Sequence, residues 1–141
     1  PLEIVPGTCP ALAFDDGFKL TEAGVPHGRR LFERWYRRRA AELFAEKTAC
    51  WGARMGVSPA RVMISAARTK WGSCDAKGVV RFAWRLAMAP TAVIDYVTVH
   101  ELAHLTVRGH RRDFWALVEA HCPAWREGRR WLADRGHTLD L

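Results

Sequence analysis

Two histidines and a glutamate in the C-terminal third of the chain have the spacing of a metal site. Residues 100–104 are His-Glu-Leu-Ala-His. On an α-helix, residues four apart are neighbours with Cβ atoms about 5–6 Å apart, so His100 and His104 can bind one zinc ion at Zn–N distances of roughly 2.0–2.1 Å. On a strand, which rises about 3.3 Å per residue, the two rings would lie about 13 Å apart. The segment can therefore hold a metal only if it is helical.

Glu101 has a different part in such a site. On a helix it lies about 100° around the axis from His100, which places its carboxylate beside the ion rather than on it. From there it can accept a proton from a metal-bound water, the role of a general base. The pattern thus indicates metal-assisted hydrolysis, with Glu101 as the catalytic residue.

A catalytic zinc site has three protein ligands and one position for water, so the motif needs one more side chain. His110 follows His104 by six residues, and Gly109 before it can take the left-handed conformation that ends a helix and turns the chain back. Glu119 is the alternative, as in sites that use two histidines and a glutamate. We favour His110 because its return to the metal is shorter. The metzincin pattern is excluded, since Val107 stands where it needs Gly and no Met follows.

The segments before the motif alternate between turn-forming and periodic sequences. Residues 1–28 contain four Pro and four Gly, which predicts an irregular arm or a short hairpin. From Arg29 to Met55 apolar residues recur at helical spacing, which predicts one long amphipathic helix. The pattern then predicts a strand, a loop and a second strand at residues 62–64, 68–74 and 79–86, with a turn near residues 75–78 joining the two strands.

The metal helix is expected to start after Pro90 and to run to about Val107, although many of its residues favour strands. Two further helices are predicted at residues 111–121 and 123–135. The fold class is therefore α+β, with the long N-terminal helix packed behind a small antiparallel or mixed sheet and the metal helix beneath it. The second strand, just upstream of the metal helix, is expected to be the edge that binds an extended peptide.

Length and composition favour one ordered domain. The chain has 141 residues, 49% of them hydrophobic, with seven Trp and six Phe, which supports a packed core and excludes disorder. No apolar run approaches the roughly 20 residues needed to cross a bilayer, so we expect no membrane partner. The four cysteines form no CxxC pair, which indicates reduced thiols and a cytoplasmic protein. The opening has neither a secretory signal nor an initiator Met, so we expect a fragment or a processed chain.

The chain is strongly basic. Its formal net charge is +7, and most of its 22 basic residues are Arg. Such a surface permits a weak interaction with nucleic acid or nucleotides, but no nucleic-acid-binding motif accompanies the charge. We therefore interpret most of these residues as parts of solvated faces.

Three segments resemble the YgjP-like metal-dependent hydrolases, which are relatives of the SprT-like zinc peptidases. They are RTKWGSC (68–74), GVVRFAWRLAMAP (78–90) and YVTVHELAHLTVRGHRRDFW (96–115). The resemblance covers about residues 29–137, and Ala83 departs from the Asn that is usual in the family. It implies a zincin-like domain over residues 29–141 after the arm of residues 1–28. It also implies one zinc ion per chain, held by His100, His104 and His110, with Glu101 as base.

The function that these patterns predict is that of a zinc metallopeptidase acting on a peptide or protein substrate. Arg68, Lys70 and Ser73 are candidates for substrate contact or oxyanion stabilisation, although the same loop could be a structural turn docked by Trp71. A phosphohydrolase acting on nucleotides is an alternative, because the surface is rich in Arg. A DNA-associated module with structural zinc is another, but a glutamate beside an open metal position argues against it.

Overall fold

The computed structural model describes all 141 residues, which form two compact units, Pro1–Arg38 with Leu141 and Arg39–Asp140. The strands are β1 (Leu2–Val5), β2 (Leu12–Phe14), β3 (Phe18–Thr21), β4 (Arg61–Ser65), β5 (Gly72–Cys74) and β6 (Val79–Ala83). The α-helices are α1 (Gly28–Met55), α2 (Thr91–Ala103), α3 (Arg112–His121) and α4 (Trp125–Arg135). Short 3-10 helices occupy Glu22–His27, Trp84–Met88 and Gly136–Thr138. The α+β class is thus confirmed.

The first unit contains a three-stranded mixed sheet where we expected an irregular arm or a short hairpin. The hairpin exists, because β2 pairs antiparallel with β3. The expectation missed β1, which pairs in parallel with β3 on its other side. The turn-forming residues Pro6, Gly7 and Pro10 lie between strands rather than within them. Phe18 of β3 packs against Phe32 and Trp35 of α1, with ring centroids 4.9 Å apart in both pairs.

The second unit is built around a sheet with the strand order β4-β6-β5. β4 is parallel to β6, and β5 is antiparallel to it. The prediction of a loop over residues 68–74 is wrong for its last three residues, which form β5. The turn at residues 75–78 therefore joins β5 to β6, and Gly78 supports it with a φ of +79°.

The predicted second strand also needs two corrections. It ends at Ala83, and residues 84–88 form a 3-10 helix. More importantly, β6 is the central strand, with a neighbour on each side, so it cannot add a peptide strand. β5 is the strand at the edge on the side of the predicted metal motif.

The core of the second unit lies between its sheet and its helices. Phe44 of α1 and Phe82 of β6 are fully buried and stack with their ring centroids 4.2 Å apart. α2 is buried along most of its length, with nine of its residues inaccessible to solvent. This burial explains why a segment rich in β-branched residues is helical: tertiary packing overrides local propensity. None of the helices combines the length and the apolar composition that crossing a membrane requires.

We expect the stacked Phe44–Phe82 pair to carry much of the stability of this unit. Phe44→Ala should lower the free energy of unfolding by about 3–5 kcal/mol, because it leaves a cavity in a closed core. Glu46→Ala, on an exposed position of the same helix, should stay within about 0.5 kcal/mol of the wild type. Denaturant unfolding measures both values. Equal effects of the two substitutions would contradict the packing described.

Candidate metal centre

The three histidines of the predicted metal site converge on one point. His100 lies in the last turn of α2, and His104 caps its C-terminus with helical φ and ψ of −66° and −15°. The helical spacing of the two side chains is therefore kept. The Nε2 atom of His110 lies 3.2 Å from Nε2 of His100 and 3.1 Å from Nε2 of His104. The structure thus brings together the histidines that the motif predicted.

His110 reaches the other two through a turn between α2 and α3. Gly109 has a φ of +78°. This left-handed backbone conformation is unfavourable for residues that have a Cβ atom, whereas glycine adopts it freely. The turn reverses the chain, so that His110 precedes α3 by two residues. Glu119, the alternative third ligand, lies exposed on α3 and is 2.9 Å from Arg126. It is not part of the cluster.

Aromatic side chains of α3 wall the imidazole cluster. The ring of Phe114 stacks on that of His104 with centroids 4.3 Å apart, and it meets His100 and His110 edge-on at 5.0 Å. Trp115 packs edge-on against His100 at 5.6 Å. These ring contacts restrict the planes of the imidazoles.

Two of the three histidines, His100 and His104, favour the neutral form that binds metals. Burial lowers the pKa of His100 to about 3, with smaller contributions from the neighbouring His104 and His110. Burial also lowers the pKa of His104. Nδ1 of His104 lies 3.1 Å from the carbonyl oxygen of Val107. When Nδ1–H donates a hydrogen bond to this oxygen, Nε2 carries the lone pair that can bind a metal ion. This is the usual arrangement of a metal-binding histidine.

The geometry of the cluster fits a tetrahedral metal ion. Four ligands at the usual Zn–N distance would hold neighbouring donors about 3.3 Å apart, close to the 3.1 and 3.2 Å between the Nε2 atoms. The donors are three imidazoles, a set that suits zinc and other divalent transition metals. His100, His104 and His110 are therefore compatible with one metal ion and leave a coordination position open.

Glu101 lies beside this cluster under the edge strand β5. Its side chain is buried and packs against Gly72, where an added Cβ would be 2.8 Å from Cγ and 3.0 Å from Oε1 of the glutamate. Burial raises the pKa of Glu101 to about 7, and the positive charge of Lys70 offsets part of this rise. A carboxyl group with such a pKa can both accept and release a proton near neutral pH.

The three histidines form one wall of a cleft of about 430 Å³, which we call the metal cleft. Lys70 and Ser73, two of the three predicted substrate contacts, line this cleft beside Glu101. The third, Arg68, does not. It lines a separate cavity, where its Nη1 atom is 3.5 Å from the carboxylate of Asp140.

The sequence did not identify three further residues of the cleft. Gly72 leaves space for Glu101, as described above. Arg108 donates a hydrogen bond from Nη1 to the carbonyl oxygen of Asp75 at 3.2 Å and lies 3.8 Å from Sγ of Cys74. Burial raises the pKa of the Cys74 thiol, and the group of ligand atoms that converge consists of His100, His104 and His110 without Cys74. The only available signal for Arg108 was its position in the sequence, four residues after His104.

Together, the α+β fold and the three histidines around an open position are features of a metal-dependent hydrolase. Residues 15–135 match the model of the YgjP-like metallopeptidase domain. The chain therefore belongs to the YgjP-like family. No curated protein and no solved structure matches the chain.

His110 is expected to be required for metal binding. His110→Ala should reduce the zinc content of the purified chain from about one ion to well below one, because two imidazoles cannot complete the three-ligand set. Glu119→Ala, which removes the alternative ligand, should leave the content unchanged. Metal analysis by mass spectrometry after dialysis decides between them. Loss of metal in the Glu119 variant alone would reassign the third ligand.

The contact between Gly72 and Glu101 can be tested by a double-mutant cycle. Gly72→Ala should destabilise the fold by about 1–3 kcal/mol, since its methyl group overlaps the glutamate. In the background of Glu101→Ala the same substitution should cost about 1–2 kcal/mol less, because the overlapping atoms are gone. Urea unfolding of the four proteins gives the coupling. Equal costs in the two backgrounds would show that another neighbour opposes the methyl group.

Proposed function

We propose that the chain is a zinc-dependent metallopeptidase, with zinc bound by His100, His104 and His110 and with Glu101 as the general base. The observation that carries this proposal is the position of the His110 Nε2 atom, 3.1 Å from that of His104 and 3.2 Å from that of His100, with all three ligand atoms within 4.8 Å of one another. A buried glutamate lies beside them in the same cleft. Membership of the YgjP-like metallopeptidase family supports the peptide bond as the bond that is cleaved.

In the proposed reaction Glu101 moves the proton and Lys70 acts on the charge of Glu101. When bound, zinc acts as a Lewis acid that polarises the scissile carbonyl and acidifies the attacking water. Glu101 takes a proton from this water as its oxygen forms a bond to the carbonyl carbon. The C–N bond then breaks, and Glu101 passes the proton to the leaving amine. Lys70 stabilises the carboxylate form of Glu101 and so favours the return of the base to its starting state.

The edge strand β5 is suited to hold the substrate. β5 pairs with β6 on one side only, and its residues Gly72, Ser73 and Cys74 all line the metal cleft. An extended peptide that adds to the open side of β5 makes main-chain hydrogen bonds that do not depend on its sequence. The carbonyl groups of such a peptide then lie over the three histidines and Glu101. This role falls to β5 instead of the strand that we expected from the sequence.

Hydrolysis of a nucleotide phosphate is the second candidate. Lys70 and Arg108 place two positive side chains around the cleft, and such charges also suit a phosphate group. The peptidase is favoured because the open strand edge offers a row of backbone groups, which a nucleotide would leave unpaired.

Glu101→Gln is expected to abolish hydrolysis without loss of metal. The amide keeps the shape of the side chain but cannot accept the proton, so the rate should fall by about 10²–10⁴-fold. Zinc content and thermal unfolding report that the site is intact, and Glu119→Gln, on an exposed position, serves as the matched control. The assay compares an unfolded protein substrate with ATP, so that the two candidate functions are separated. Unchanged cleavage in the Glu101 variant would remove it as the base.

A further inference from the structure

A second cavity, of about 270 Å³, lies next to the metal cleft. Its charged and aromatic wall is formed by Arg68, Trp71, Arg85, His137 and Asp140. Trp71 links the two sites, because Lys70 and Gly72 on either side of it line the metal cleft. The carbonyl oxygen of Trp71 accepts a hydrogen bond from the Ala83 N–H at 2.9 Å, which fixes this segment beside the end of β6.

Arg85 is an unusual residue for a cavity wall, because its charged side chain is only 8% exposed. Its guanidinium stacks over the ring of Trp84 at 4.4 Å, and its Nε donates to Oδ1 of Asp140 at 3.3 Å. No protein group accepts a hydrogen bond from its buried Nη1. This Nη1 is closed to solvent, but Arg85 also lines the cavity, and its positive charge there suits a ligand that brings a negatively charged oxygen.

The charges of the cavity are not balanced by the protein. Arg68 and Arg85 share the single carboxylate of Asp140, one on each oxygen, at 3.5 and 3.3 Å. These distances are long for charge-assisted hydrogen bonds, and each arginine has further N–H groups in its planar fork. The excess of one positive charge matches one carboxylate better than the several charges of a triphosphate. Arg68, whose side chain is 63% exposed, gives a ligand access from solvent.

We propose that this cavity is a specificity subsite that binds a carboxylate of the peptide substrate, on an acidic side chain or at the C-terminus. The inference rests on the proposed peptidase function and extends it. A peptide lying along β5 advances about 3.3 Å per residue. Trp71, which lines the cavity, directly precedes β5, so a peptide paired along β5 extends toward the cavity on one side of the bond beside Glu101.

The test measures binding separately from cleavage. The zinc-loaded 141-residue chain with Glu101→Gln is expected to bind peptides without turnover. Calorimetry compares its binding of three alanine-rich, N-acetylated hexapeptides. The first has a glutamate at a scanned position and an amidated C-terminus, the second is its glutamine twin, and the third is the glutamine twin with a free C-terminal carboxylate. We expect at least one carboxylate peptide to bind about tenfold more tightly than the neutral twin. The peptide that shows the preference identifies which carboxylate the subsite takes.

Substitutions in the cavity should remove this preference. Arg68→Gln is at an exposed position, so it should fold normally and reduce the preference to below about twofold. Arg85→Lys keeps the buried charge but loses the planar fork, and we expect the same reduction; thermal unfolding checks that it folds. Arg54→Gln removes one positive charge from an exposed position outside both cavities, and it should leave the tenfold preference unchanged.

Failure of the subsite and failure of the proposed function give different results. Equal affinity for all three peptides, or a preference that survives Arg68→Gln, overturns the subsite. ATP binding that depends on Arg68, without any carboxylate preference, also overturns it and assigns the cavity to phosphate. If the wild type cleaves the glutamate peptide and both glutamine peptides at equal rates, the subsite is rejected but the proposed peptidase function is supported. A carboxylate preference without any cleavage keeps the subsite and rejects the peptidase.

Discussion

The convergence of three imidazoles depends on a helix made of residues that favour strands. His100 and His104 share one face only because helical geometry continues to the cap of α2. Burial between the sheet and the neighbouring helices enforces that geometry against local propensity. Thr98 fits the buried helix because its hydroxyl donates to the carbonyl oxygen of Ile94 at 2.8 Å. The metal centre is thus a product of core packing, and the turn at Gly109 needs only to add the third donor.

The same packing sets the chemistry of the groups around the ion. Burial lowers the pKa of His100 and His104, which favours the neutral imidazole that can bind a cation. Burial beneath β5 acts on Glu101 in the opposite sense, since it disfavours the negative form of a carboxyl group. One apolar environment thus prepares both the ligands and the proposed base. Lys70 moderates the effect on Glu101 from the open side of the cleft.

The parts of this structure that could be predicted from the sequence are those with local signals. Helical periodicity indicated α1, α3 and α4, and the spacing of His100 and His104 identified α2 against its propensity. β4 and β6 were predicted as strands, but β1, β5 and the way in which β4 and β6 pair were missed. β5 has only three residues, Gly-Ser-Cys, with no alternation of apolar and polar residues to mark a strand. β4 and β6 pair in parallel, so no tight turn joins them that could be recognised in the sequence. Arg68 and Lys70 were expected in one site because they are only two residues apart. In the structure Lys70 lines the metal cleft and Arg68 lines the second cavity, a difference that distance along the sequence does not show.

The segment from Lys70 to Gly72 explains why the two sites stand in a fixed relation. Lys70 and Gly72 line the metal cleft, while Trp71 between them lines the second cavity. Beside Glu101 even the methyl group of an alanine at residue 72 would be only 2.8 Å from the glutamate side chain. The absence of a side chain at Gly72 therefore lets β5 lie close against Glu101. The same short segment contributes to both sites, so a change in its position would alter both.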